Sequence, residues 1–164
     1  MRYPRPDVIH FFSDETRVSL ELPDGWKLDE TDVRFAMYRA AQDAFGQAPT
    51  LIVRVVDIQT TDPGAYKKLA RQMLELPRKE MRVISRSAVT VDGFAGTVDV
   101  FSHYQDVVAQ RVTQYQVFVQ VERVIFSITG IVAQESQKAY LPVFEAAVQS
   151  IRFIPARAAL AKNE

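Results

Sequence analysis

Cysteine is missing from all 164 residues, which excludes disulfides, thiolate catalysis and zinc–cysteine sites. A charge of one sign is missing as well. Twenty Lys and Arg balance twenty Asp and Glu, so the chain carries no bulk electrostatic footprint for nucleic acid or an anionic membrane. No segment approaches the ~20 apolar residues of a membrane span. The opening MRYPRPDVIHFF holds no apolar run of signal-peptide length, and the protein is expected in the cytoplasm. Histidine is scarce, with His10 and His103 alone. Neither belongs to a His-x-x-x-His or His-Glu-x-x-His pattern, and no Asp-x-Asp-x-Asp-Gly calcium loop occurs. A Gly-x-Ser-x-Gly elbow and a glycine-rich turn between a strand and a helix are absent too. The reading is of a non-enzyme, with no catalytic residue, no metal site and no cofactor.

Against these absences stand 48% apolar and 24% charged residues, ordinary for a soluble globular protein. The length suits one domain with a real core. That domain is expected over residues 1–155, with a frayed tail over 156–164. HFFSDETRVSLELPDGW predicts two short strands around the polar turn Ser13-Asp14-Glu15-Thr16, then a turn at Pro23–Gly25. VRFAMYRA and TLIVRVVDIQ read as apolar strands joined by the loop AQDAFGQAP. TTDPGAYKKLARQMLELP reads as a helix with Asp62 as N-cap, Pro63 at its first position and Pro77 as its stop. Tyr66, Leu69, Ala70 and Met73 make its apolar stripe, expected to be core rather than a binding groove. SQKAYLPVFEAAVQSIRF predicts a second helix with the stripe Tyr140, Val143, Phe144, Ala147, Val148 and Ile151. Pro142 predicts a kink or a start near it, and SIRFI a last short strand.

Between the helices lie four consecutive strands. Asp92-Gly93 is the strongest hairpin signal in the chain and pairs Val91 with Phe94. A four-residue loop pairs Gln105 with Gln110, and Glu122-Arg123 pairs Val121 with Val124. That last turn lacks Gly or Asn, so positive φ at Glu122 or Arg123 is expected. Counting outward gathers Met81, Val83, Val89, Val91, Phe94, Val98, Val100, Tyr104, Tyr115, Val117, Val119, Val121, Val124, Phe126 and Ile128 on one face, which a helix must cover. The opposite face interleaves polar and apolar rows: Arg86–Asp99–Gln116–Thr129, Arg82–His103–Val112, Ile84–Phe101–Gln114–Ile131 and Ala88–Thr97–Phe118–Ser127. Such a face is either half covered by a helix or a mixed binding surface. Its candidate partner-binding residues are Arg82, Arg86, Asp99, Phe101, His103, Gln114, Gln116, Phe118 and Ile131. The bland reading of Arg86–Asp99 is a cross-strand ion pair worth ~0.2–1 kcal/mol. His103 lacks an orienting carboxylate, because Asp99 lies four residues along the same strand, roughly 13 Å away.

LPDGW, LIVRVVDI, GAYKKLARQM, VFVQVERVIFSITG and YLPVFEAAVQSIRF, in that order, resemble the PsbP-like fold family. The likeness covers nearly the whole chain and points to bacterial members of the DcrB type and to the effector-associated chaperones of type VI secretion. It implies an α+β fold, an antiparallel sheet flanked by helices, and binding as the usual trade. Relatives of this kind bind a photosystem, the GTPase Ran or the transmembrane segments of secreted effectors.

Three readings follow. The first is a non-enzymatic protein-binding or secretion-chaperone module that presents the mixed sheet face or an edge strand to a protein partner, a secreted effector in the chaperone case. The second is a small-ligand-binding or enzymatic domain with a cavity between sheet and helix. The third is an assembly role, as a homodimer through an edge strand.

Overall fold

The computed structural model describes residues 8–11, 16–31, 35–40, 47–57 and 60–154. The polar turn after Phe11, most of the AQDAFGQAP loop and the tail lie outside the described residues. Among these described residues ten strands and two α-helices run in the order β1 (Val8–Phe11), β2 (Thr16–Ser19), β3 (Lys27–Thr31), β4 (Phe35–Arg39), β5 (Thr50–Asp57), α1 (Ala65–Glu75), β6 (Arg82–Val91), β7 (Phe94–Gln105), β8 (Gln110–Val121), β9 (Val124–Ala133), α2 (Gln137–Gln149) and β10 (Arg152–Ile154). Seven strands form one antiparallel sheet in the spatial order β3-β4-β5-β9-β8-β7-β6. The short β1, β2 and β10 form a second sheet with β2 in the middle. The α+β architecture that the PsbP-like resemblance implies is the one observed.

A helix lies on each face of the large sheet. Phe144, Ala147 and Val148 of α2 pack on Val91, Val100, Tyr115, Val117, Val119, Val121, Phe126 and Ile128. Alternate residues of β4 and β5 (Ala36, Tyr38, Leu51, Val53, Val55) extend that apolar face past β9. Gly130 lets the helix approach: a Cβ there would stand 2.6 Å from the Phe144 ring. The small sheet closes the hairpin end of the same face. Phe153 lies 4.9 Å from Phe126, ring centre to ring centre, and its backbone N–H donates to Asp92 Oδ2 at 2.9 Å. At the opposite end the face turns polar, where Arg111 donates to Ser102 Oγ at 2.7 Å and to Gln134 Oε1 at 2.8 Å. On the second face, Tyr66 and Ala70 of α1 are buried with Phe118 and Ile125, and Leu69 and Met73 pack beside them. The α1 stripe is core, as its spacing predicts.

The three hairpin registers match those counted from the sequence: Val91↔Phe94, Gln105↔Gln110 and Val121↔Val124. Glu122 has φ 59° and Asp92 φ 48°, the left-handed values that two-residue hairpins require. Ala109 joins them at φ 52°.

Four differences have local causes. β3 escapes a hydrophobicity scan because it is an edge strand with an irregularity between Leu28 and Glu30, and Leu28 is largely exposed. Helix α1 begins at Ala65 with Gly64 as N-cap, not at Pro63 with Asp62. Asp62 Oδ1 instead accepts from the Gly64 N–H at 2.8 Å, a side-chain turn that delays the helix by two residues. Helix α2 neither starts nor ends at Pro142, which sits inside it on the exposed side. Lastly, a register shift between Val83 and Ser85 makes Ile84 an extra residue in β6. Arg82 therefore pairs with Ser102, not with His103, and Val83, not Ile84, pairs with Phe101. Val83 thus leaves the apolar face on which counting had placed it.

Candidate functional site

The mixed face of the large sheet is built by strands whose outward residues do not alternate cleanly with the core set. Its central row is Arg86↔Asp99↔Gln116↔Thr129, and β5 continues it with Ile52. Arg86 Nε donates to Asp99 Oδ1 at 3.0 Å, with the arginine side chain 57% exposed and the carboxylate 4% exposed. Gln116 Oε1 accepts from Gln114 Nε2 at 3.0 Å and from Thr129 Oγ1 at 2.8 Å. The two buried amides are thus bonded to each other and to Thr129, and the buried carboxylate to Arg86, as buried polar groups must be.

The neighbouring row is Val83↔Phe101↔Gln114↔Ile131. Phe101 is fully buried, and the His103 ring stacks on it, centres 6.0 Å apart at 30°. The Arg78 guanidinium, just past α1, lies over the Phe101 ring 4.8 Å from its centre. Its Nη1 is tied to the Met73 carbonyl at 2.7 Å, and its Nη2 contacts Met73 Sδ at 2.8 Å. Burial holds the His103 pKa below 6.5, helped by the cations of Arg78 and Arg111 and opposed by a hydrogen bond with Gln114. His103 Nε2 is buried without a hydrogen-bond partner. Burial thus favours the neutral ring, and no carboxylate among the described residues is hydrogen-bonded to it as an orienting partner for a base. Among the described residues no three His, Asp or Glu side chains gather as a metal would need.

Of the nine candidate residues, the structure brings eight together on this face. Asp99, Phe101, His103, Gln114, Gln116 and Phe118 are buried there, Ile131 is half-buried and Arg86 is exposed. Arg82 is exposed and lies on the other side of the bulge, facing Ser102. Phe101 and Phe118 lie beneath Arg78 and α1, so the face is half helix-covered rather than open. Sequence reasoning missed Arg78, because nothing about a residue after a helix-stopping Pro77 says that its guanidinium folds back over a strand.

What remains open is the β6 margin. Residues 82–88 are all exposed, and Val83 and Ile84 are 50% and 49% exposed at the bulge. Near the same end of the molecule, Lys79 Nζ binds Asp106 Oδ1 at 3.1 Å, and the β7–β8 tip puts Val107 98% into solvent.

No family model matches the chain, and no curated protein matches it. Solved structures do. LpqN of Mycobacterium tuberculosis, a protein involved in cell envelope biogenesis, is 16% identical over 90% of each chain, with a TM-score of 0.72. The Pseudomonas aeruginosa protein PA94, of unknown function and a putative regulator, is 15% identical over 85% of this chain and 99% of that one, at 0.63. The cyanobacterial PsbP of Synechocystis sp. PCC 6803 is 13% identical over 90% of this chain and 91% of that one, at 0.55. At such identities the likeness is one of fold. The fold is PsbP-like. No helix among the described residues is long and apolar enough to cross a membrane.

Proposed function

We propose that the chain is a non-enzymatic protein-binding module whose partner lies along the free edge of β6 and the solvent-facing rim of the mixed sheet face. The β6 edge is the observation that supports it. The two-residue hairpin closes on Val91 and Phe94, so Val91, Val89 and Ser87 direct their backbone groups to β7. Thr90, Ala88 and Arg86 direct theirs outward. Gln149 Nε2 reaches the Thr90 carbonyl at 3.3 Å. Nothing among the described residues takes the outward backbone groups of Ala88 and Arg86. Arg86 is folded onto Asp99 and does not project as an edge guard.

An extended partner segment at this edge gains affinity from main-chain hydrogen bonds and selectivity from alternate side chains. Val83 and Ile84 supply apolar contact, Arg82 and Arg86 charge, and Ile131 the far end of the rim. Asp99, Gln114 and Gln116 set the polarity underneath. Phe101, His103 and Phe118 form the layer that fixes the rim's shape. The finer form of this reading is the chaperone one, with a secreted effector as the partner, after the DcrB-type and effector-chaperone resemblance. The compartment proposed with it is the cytoplasm. A phosphatase fusion that is active only after export checks that, and activity would move the protein to the envelope.

The binding reading is tested by placing a photo-crosslinking residue at Ile84 or Ala88 and, as a control, at Leu28 on the β3 edge. Adducts from the two β6 sites and none from Leu28 are expected in cells. Equal adducts from both edges, or none from β6, would remove the reading. An adduct of twice the chain's mass would identify the partner as a second copy.

A further inference from the structure

The edge strand β6 carries charge of one sign. Its ten residues, Arg82–Val91, include Arg82 and Arg86 and no Asp or Glu; Glu80 precedes the strand by two residues. Residues 82–88 are all exposed. Arg86 is held from beneath, where its Nε donates to Asp99 Oδ1 at 3.0 Å. That carboxylate is buried, while most of the arginine faces water. The terminal nitrogens of the guanidinium, Nη1 and Nη2, donate to nothing among the described residues. Arg82 makes no ion pair among them either. The bulge at Ile84 sets how the two arginines stand. Arg82 lies opposite Ser102 and Arg86 opposite Asp99, so four steps along β6 span three along the ladder. An odd number of ladder steps changes face. Arg86 therefore stands on the mixed face and Arg82 on the α2 side, about 10 Å apart along the strand at the usual rise.

We propose that the segment received at this edge is acidic: an extended strand of a partner protein with carboxylates at positions i and i+3. This rests on the β6 reading above and names the chemistry of its partner. Main-chain hydrogen bonds to the outward groups of Arg86 and Ala88 hold the segment. One carboxylate meets Arg86 on the mixed face, and the other meets Arg82 on the α2 side. The Arg86 guanidinium, already oriented by Asp99, offers its free nitrogens as a fork to a carboxylate. Because it is already in place, little side-chain entropy is lost when it is engaged. Without the bulge, arginines four residues apart would share a face and call for acids at i and i+4; the extra residue makes i and i+3 the matching spacing. Val83 and Ile84, half-exposed between the arginines, take an apolar side chain of the segment. A second copy of β6 fits poorly, since it brings two more arginines and no carboxylate to the pair.

The probes are short extended peptides of Thr and Val. One carries Glu at its third and sixth positions, and one carries Glu at its third and seventh. Two more carry Lys or Gln at the third and sixth. Amide shifts of the isotope-labelled full chain show where each peptide lies, and their titration gives its affinity. The third-and-sixth Glu peptide is expected to shift the Arg86, Ala88 and Thr90 amides saturably. The Lys peptide should bind at least tenfold more weakly. Moving the second Glu to the seventh position, or replacing Arg82 by glutamine, should each cost roughly two- to fivefold, the worth of one exposed ion pair. Arg82→Gln leaves no buried group without its partner, so the fold is kept. Arg86→Lys keeps a cation over Asp99 but removes the fork, and should weaken the Glu peptide while sparing the Gln peptide. Glu and Lys peptides that shift the β6 amides with equal affinity overturn the inference and leave the edge reading standing, as does a spacing of four that binds as well as three. Peptides that shift no β6 amide overturn both. Resonances of β6 that broaden with chain concentration and ignore every peptide place a second copy at the edge and overturn the inference as well.

Discussion

Gly130→Ala is the sharpest test of how α2 sits on the sheet. Gly130 lies in β9 opposite Tyr115, and an added Cβ would meet Phe144 Cγ and Cδ2 at 2.6 Å and Cε2 at 2.8 Å. Phe144 is fully buried and is packed by Trp26 and Tyr115, so its ring has no free space to enter. Overpacking of this kind costs ~1–3 kcal/mol. Replacing a strand glycine returns ~0.5–1 kcal/mol of backbone entropy. The net expectation is a loss of about 1–2 kcal/mol, or a Tm lower by about 2–8 °C for a chain of this size. Urea denaturation of Gly130→Ala, Phe144→Leu and the double variant measures it. The smaller leucine side chain should make room, so the double variant should be more stable than the sum of the single losses predicts. A neutral or stabilising Gly130→Ala would show that α2 does not press on β9 as described.

Phe101→Asp and Phe118→Asp each put a charge where the structure has a fully or nearly fully buried ring. Loss of the ring alone is worth ~3–5 kcal/mol, so both should unfold by circular dichroism while Ile84→Asp stays folded; folded Asp variants would return these residues to the surface. His103 has a lowered pKa in the folded chain, so the unfolded chain binds its proton first. The stability it contributes is present above pH 6.5, its ordinary value, and is lost as pH falls through the lowered folded value. His103→Phe should therefore flatten the acid side of the stability curve, and an unchanged curve would place that titration elsewhere. Ala109 sits at φ 52°, where an L residue costs ~1–2 kcal/mol. Ala109→Gly should raise stability by about 0.5–1 kcal/mol after its own entropy cost, and a loss would refute the strain.

Much of the fold is written in local pattern. The Asp92-Gly93 turn, the alternation from Tyr115 to Val121 and the stripe Tyr66–Ala70–Met73 depend on neighbours a few residues away. Period and turn chemistry therefore sufficed to place β6 to β9, α1 and the Arg86–Asp99 pair in register. The placement of the candidate residues was legible: eight of the nine share a sheet face. Three things were not legible, because each depends on groups far apart in the chain. The bulge at Ile84 moved Arg82 from His103 to Ser102, and one extra residue in a ladder leaves no mark on composition. The burial of Phe101 and Phe118 was decided by where α1 and the returning Arg78 came to rest. The contact of Trp26 with Phe144 exists because Leu22–Trp26 and α2, more than a hundred residues apart, meet over the same sheet face. The sequence by itself settled which residues share a strand and a face; only tertiary packing settled which of those faces water can reach, because exposure is a property of what lands on top.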